Sequence, residues 1–214
     1  MNVYLNKVHF PVTALGPGRR IGIWFQGCSI GCPGCISRDT WEPNAGSATS
    51  VESLIAWCRQ AAWSGFDGVT ISGGEPFEQP DSLAAILDAF DSWRRDAGAS
   101  FDLLAYSGLP LKLLKRSHGN ILARLDAVIA EPFIARLAPG EPGFGSSNQT
   151  LTTLSELGQS VHAGVASAPR RPIQVSVDDQ AIWCIGVPRS GDMERLERLA
   201  KDRGLVWRAA SWRA

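Results

Sequence analysis

Three cysteines fall within eight residues, as Cys28-Ser-Ile-Gly-Cys32-Pro-Gly-Cys35. Thiolates are soft donors that select zinc or iron–sulfur clusters. With 5 Cys in 214 residues, a cysteine followed by cysteines at both +4 and +7 arises by chance in about 3 of 10,000 cases. A structural zinc site wants four ligands, usually as two close pairs. No fourth donor stands nearby in the chain. Cys58 lies on the apolar face of a predicted helix, Cys184 in a remote predicted strand, and both read as small core residues. Three thiolates on a loop rich in Gly and Pro can hold three irons of a cubane and leave the fourth iron open to a substrate or cofactor. The donor count therefore favours an iron–sulfur cluster over zinc.

A second group of polar residues follows a predicted strand, as Ser72-Gly73-Gly74-Glu75. Paired glycines let backbone come close to a neighbour, and Glu75 supplies a carboxylate. Taken alone, the segment is an ordinary turn. Ser107 ends another strand, where a hydroxyl either meets a ligand or caps a helix. Asp126 at a strand entry reads as a turn residue. Gly145-Ser-Ser-Asn-Gln149 offers amides and hydroxyls that suit a partner's backbone. Arg20 is expected close to the cysteine loop, and His9, His118 and His162 have no motif partner.

The elements that must carry these groups alternate between strand and helix periods. Ile21–Phe25, Gly68–Ser72, Phe101–Tyr106 and Ala127–Ala130 read as strands. Helices are predicted from the Ser50 cap to about Ala62, over Pro80–Ala97 with Gly98 as stop, and over Leu109–Arg116. That alternation implies βαβ units and a parallel sheet, an α/β fold. Ligands in such sheets sit beyond the carboxyl ends of the strands, where the cysteines, Ser72–Glu75 and Ser107 all fall. Residues 138–172 read as loop or linker. A hairpin of Ile173–Val177 and Ala181–Val187, a helix from Ser190 to Arg203 and a short strand near Leu205–Trp207 make a small ββα extension. The expected organisation is a core over 1–150, then a linker and extension over 151–214.

The composition fits a globular chain: 44% hydrophobic and 20% charged. Lys+Arg and Asp+Glu are 21 each, so net charge is zero and no dominant nucleic-acid term is expected. Arg170-Arg171 is too short a basic run to change that. No apolar run is long enough for a membrane span, and the first residues lack the pattern of a secretory signal. Clustered, odd-numbered cysteines suggest reduced thiols, hence a cytoplasmic protein.

Cys-x3-Cys-x2-Cys after a strand, with Gly-Gly-Glu-Pro after another, resembles the radical S-adenosylmethionine (SAM) enzymes. Gly16-Pro-Gly18, Arg20, Gly27-Cys28 and Asp39-Thr40-Trp41 are similar to the activating enzymes of glycyl-radical enzymes. Cys32-Pro-Gly-Cys35, GVTISGGEPFEQ at 68–79, YSG at 106–108 and GSSNQ at 145–149 look like the activators of anaerobic ribonucleotide reductases in particular. The match covers about residues 8–150.

The resemblance implies an incomplete βα barrel of parallel strands with a [4Fe–4S] cluster at its open face. Cys28, Cys32 and Cys35 would ligate the cluster. Ser72, Gly73, Gly74 and Glu75 would hold SAM, joined by Ser107 and by Gly34 of the cluster turn. The implied reaction is reductive cleavage of SAM to a 5′-deoxyadenosyl radical, which takes a hydrogen atom from a glycine of a partner enzyme. A reduced flavodoxin or a ferredoxin-type protein would supply the electron.

Two stretches depart from those activators. Ala130-Glu131 stands where they carry Asp-Gly, and Phe144 where they often carry Arg. The tail from about 165 is also longer. Two rival readings follow: a free-standing radical SAM enzyme for a small molecule or peptide, and a non-catalytic iron–sulfur or zinc module.

Overall fold

The computed structural model describes residues 1–138, 143–164, 173–178, 182–189, 191–206 and 209–213. Arg170-Arg171, the turn at 179–180, Ser190 and Trp207 lie outside the described residues. Four parallel strands form the centre: β2 (Arg20–Phe25), β4 (Gly68–Gly73), β5 (Asp102–Tyr106) and β6 (Ala127–Ala130). Antiparallel strands flank them: β1 (Asn2–Val12) and β3 (Ala48–Ser50) on one side, β7 (Thr150–Thr153) on the other. The seven strands run in the order β3-β1-β2-β4-β5-β6-β7. The result is a mixed α/β fold around a parallel core.

Alternation decides the two faces. Ile21, Ile23, Phe25, Val69, Ile71 and Leu103 are wholly buried against the helices on one face. Those helices are α1 (Val51–Ala61), α2 (Pro80–Ala97), α3 (Leu111–Ser117) and α4 (Gly119–Leu122). Ser50 caps α1, its hydroxyl accepting the Ser53 amide at 3.0 Å. Gly98 ends α2 in the left-handed region at φ +57°. From α2, Leu83, Ile86, Leu87 and Phe90 are fully buried. Side chains of this kind contribute about 1.5–3 kcal/mol each, enough to fix the strand ends on which the site is built.

On the opposite face Trp24, Leu104, Ala127 and Ile129 are covered by other parts of the chain. Phe144 packs on Leu104 and Ile129, and Ile185 on Val12, Leu15 and Trp24. Ile185 belongs to an antiparallel hairpin of β8 (Ile173–Val177) and β9 (Ile182–Gly186). Gln174 ties this hairpin to β1, accepting the Thr13 amide at 2.7 Å and donating to the Pro11 carbonyl at 2.7 Å. A last helix, α6 (Asp192–Asp202), follows.

Several expectations need correction. β1 precedes the strand read as the first one and pairs with it, and β3, later in the chain, pairs with the far edge of β1. Within the expected loop 138–172 lie β7 and α5 (Glu156–His162), so the sheet continues past residue 150. A Cβ on Gly158 of α5 would sit 1.9 Å from the Asp126 carbonyl, so only glycine lets this helix dock there. Leu205 and Val206 are not strand; the Leu205 amide instead donates to Ala200 at 3.0 Å, closing α6.

Arg20 is not beside the cysteine loop. It opens β2, whereas the cysteines follow the end of that strand, about 16 Å away. Its guanidinium donates to both carboxylate oxygens of Asp102 at 2.7 and 2.9 Å, and both residues are fully buried. His162 of α5 completes the group, 2.8 Å from Asp102. Burial would raise the Asp102 carboxyl, but hydrogen bonds and charge from His162 and Arg20 outweigh it and hold it below the usual range. Asp126 is likewise structural. It accepts the Leu103 amide at 2.8 Å and the Ser155 hydroxyl at 2.5 Å, and pairs with Arg94.

Candidate functional site

Cys28, Cys32 and Cys35 lie on the segment leaving β2, beyond the carboxyl end of the sheet, and all three thiols are free and partly buried. Cys58 is fully buried on α1, where burial pushes its thiol up to about 12, and Cys184 is in β9. Three of the five cysteines therefore share this one segment. Among the described residues, no three His, Cys, Asp or Glu side chains stand close enough to share a single metal ion.

The loop is set in a frame of hydrogen bonds. Gly27 and Cys28 donate their amides to Thr40 and Trp41, at 2.7 and 3.0 Å, which closes the loop at its base. Gly27, Gly31 and Gly34 all have positive φ. Burial raises the Cys28 thiol, and the Gly31 and Ile30 amides at its sulfur pull the other way. Cys32 is raised by burial and opposed by the Phe133 amide, which arrives from the β6–β7 connection. Amides aimed at sulfur favour thiolate, the form that binds iron. Soft donors, three in number and served by amides, fit an iron–sulfur cluster.

The turn after β4 is interlocked with this loop. Gly74 donates to the Phe25 carbonyl at 2.8 Å and Glu75 to the Gly27 carbonyl at 2.8 Å. A Cβ on Gly74 would stand 2.0 Å from the Gly27 oxygen. The glycines of the Ser72–Glu75 turn thus admit the cysteine loop itself.

Glu75 is 1% exposed, and its carboxylate is already engaged. Oε1 accepts the Phe77 amide at 3.1 Å and the Ser107 hydroxyl at 2.9 Å, and Oε2 accepts the Gly108 amide at 2.8 Å. Burial pushes this carboxyl up to about 7 despite the three donors. Ser107 therefore joins β5 to Glu75, and its oxygen also accepts the Leu109 amide at 3.0 Å. Gly108 lies against Ile30 of the cysteine loop. Gly34 sits at the exposed loop tip, facing Phe133 and Ala135.

The Gly145–Gln149 segment turns inward. Ser146, fully buried, accepts the Ile134 amide at 3.1 Å. Gln149 donates to the Glu131 carbonyl at 3.0 Å, and Asn148 to the Pro132 carbonyl at 2.8 Å. These side chains hold the segment that carries the Phe133 amide. Glu131 has φ +91°, the left-handed region that suits glycine, and its carboxylate accepts the Leu111 amide at 3.1 Å. Phe144 is buried as a packing residue.

Sequence reasoning passed over Glu78 and Gln79. Glu78 accepts the Ser29 amide and hydroxyl, and Gln79 donates to the carbonyls of Tyr4 and Gln26 at 3.0 and 2.9 Å. The only signal was their adjacency to Gly-Gly-Glu-Pro.

Thiols and a glycine-rich turn are interlocked at the strand ends of an α/β sheet, a set of groups that fits an iron–sulfur cluster. A family model described as "4Fe-4S single cluster domain" matches residues 14–152, and the chain belongs to that family, which is of radical SAM type. It is an enzyme with a [4Fe–4S] cluster and SAM as cofactors.

The anaerobic ribonucleoside-triphosphate reductase-activating protein of Vibrio cholerae serotype O1 is 28% identical over 148 residues, 67% of this chain and 94% of that protein. The pyruvate formate-lyase-activating enzyme of Clostridium pasteurianum is 40% identical over 77 residues, 34% of this chain and 32% of that protein. Among solved structures, QueE from Escherichia coli aligns at a TM-score of 0.42 and 22% identity, covering 50% of this chain and 53% of that one.

Proposed function

We propose that this chain activates a glycyl-radical enzyme, an anaerobic ribonucleotide reductase or a relative, by using SAM to abstract a hydrogen atom from a glycine of that partner. The observation that carries the reading is the interlock of the cysteine loop with the Ser72–Glu75 turn across Gly74 and Gly27. A closed electron carrier or a zinc module needs no such turn.

Cys28, Cys32 and Cys35 would hold the cluster through their thiolates. The Ser72–Glu75 turn, with Ser107 and Gly108, forms the neighbouring wall for SAM, and Gly34 at the exposed loop tip joins it. When bound, the reduced cluster and SAM supply a carbon-centred radical able to take a hydrogen atom. Glu75 does its work through position: its carboxylate ties the β4 turn to β5 and keeps both beside the loop. The open sheet is taken as a partial barrel, with its carboxyl-end face toward the partner. A small one-electron carrier, flavodoxin or ferredoxin in type, delivers the electron in the cytoplasm. No helix among the described residues is long and apolar enough to cross a membrane.

A second reading is favoured by one observation: the chain's own hairpin lies over the inner sheet face, with Ile185 on Trp24. A covered face suits a smaller substrate.

Anaerobic reconstitution followed by dithionite and SAM should give 5′-deoxyadenosine. A glycyl-radical signal in the candidate partner should then appear by electron paramagnetic resonance. Tightly held zinc with no iron uptake would remove the enzyme reading. Deoxyadenosine formation without a radical in any candidate partner would select the smaller substrate.

A further inference from the structure

Glu78 follows the Gly-Gly-Glu-Pro turn and is exposed, yet it is fixed. Its Oε1 accepts the Ser29 amide at 2.9 Å and the Ser29 hydroxyl at 2.6 Å, and its Oε2 lies 3.2 Å from the same amide. Ser29 directly follows Cys28. The Glu78 amide in turn donates to the Glu75 carbonyl at 3.1 Å, so the grip is anchored to the buried turn. Two consequences follow from elementary electrostatics. The Ser29 amide is spent on a carboxylate and is withheld from sulfur, and amides donated to sulfur raise a cluster's potential. A fixed anion beside the first thiolate also disfavours adding an electron to the centre it binds.

We propose that Glu78 is a positioning residue for the cluster loop: it pins the Cys28–Ser29 peptide and keeps the cluster's reduction potential low. The inference rests on the assignment of Cys28 as a cluster ligand. A low potential is what electron donation to a sulfonium requires, so the residue serves the proposed chemistry without touching SAM. It also explains why an exposed glutamate is tied down by a second residue when solvent could satisfy it.

Two measurements test this. In the metal-free chain, the Ser29 amide should exchange with deuterium about tenfold more slowly in wild type than in Glu78→Ala, because a charge-assisted hydrogen bond must open first. In the reconstituted protein, Glu78→Gln keeps an oxygen for both Ser29 donors and loses only the charge. At a fixed dithionite poise its reduced fraction, read by electron paramagnetic resonance, should rise on the order of threefold. Asp91→Asn, about 16 Å further along α2, removes an equal charge and should leave that fraction unchanged. Equal Ser29 exchange in wild type and Glu78→Ala overturns the positioning claim. An unchanged reduced fraction in Glu78→Gln with full iron content overturns the electrostatic one. If wild type assembles no cluster, the ligand assignment fails and takes the inference with it, a result separable from either of the others.

Discussion

The Ser107 hydroxyl donates to the Glu75 carboxylate at 2.9 Å, joining the carboxyl ends of β5 and β4 through two buried side chains. That bond makes one of the two charged-type residues of the Gly-Gly-Glu-Pro-Phe-Glu run a strut of the site, and it ties stability to pH.

Burial raises the Glu75 carboxyl from 4.5 to about 7. As pH rises through this window, the unfolded chain gives up the proton before the folded chain does. The folded state then binds more protons than the unfolded one, so stability falls as pH rises. The loss should approach about 3 kcal/mol by pH 7. Urea denaturation of the metal-free chain between pH 5 and 8 measures it. The decline should be absent from Glu75→Gln; an equal decline in that variant assigns it elsewhere.

Arg20 and Asp102 should matter for stability and not for the cluster. Arg20→Met leaves the Asp102 carboxylate buried with only His162, and breaking a buried pair in this way costs about 3–5 kcal/mol. Chemical denaturation should report that loss. Iron bound per folded chain should stay at the wild-type value, because the pair sits at the opposite pole of the sheet.

The cysteines should divide cleanly. Wild type reconstituted without oxygen should bind about four irons per chain, and Cys28→Ala, Cys32→Ala and Cys35→Ala should each lose most of it. Cys58→Ala and Cys184→Ala should keep full iron. Iron assay with visible absorbance checks all five.

Gly74→Ala should disrupt the interlock. Its Cβ would fall 2.0 Å from the Gly27 oxygen, and backbone on both sides must move. A stability loss of about 1–3 kcal/mol is expected, together with faster iron release to a chelator. Gly119→Ala, where no atom lies within 4 Å, should stay within about 0.5 kcal/mol of wild type.

Much of this was readable along the chain, for reasons that are local. Helix α2 over Pro80–Ala97 has its bounds written in Pro80 and Gly98, and β6 over Ala127–Ala130 is a plain apolar run. The cysteine spacing and the Gly-Gly-Glu-Pro turn are also contiguous signals, so donor chemistry and family could be read without coordinates. β1 was missed because a bulge breaks its alternation and Pro11 interrupts it, and β7 because Thr150–Thr153 carries little apolar signal.

Tertiary structure alone decided who meets whom. Arg20 and Asp102 are 82 positions apart and meet because β2, β4 and β5 start at one pole. Glu75 finds Ser107, and Glu78 finds Ser29, only when parallel strands bring their carboxyl ends together. The chain wrote its clustered cysteines and its turns as neighbours in sequence, where bonding geometry is set by adjacent residues. The partners of its buried charges were fixed later, by strand register and by the cost of leaving a charge in the interior unpaired.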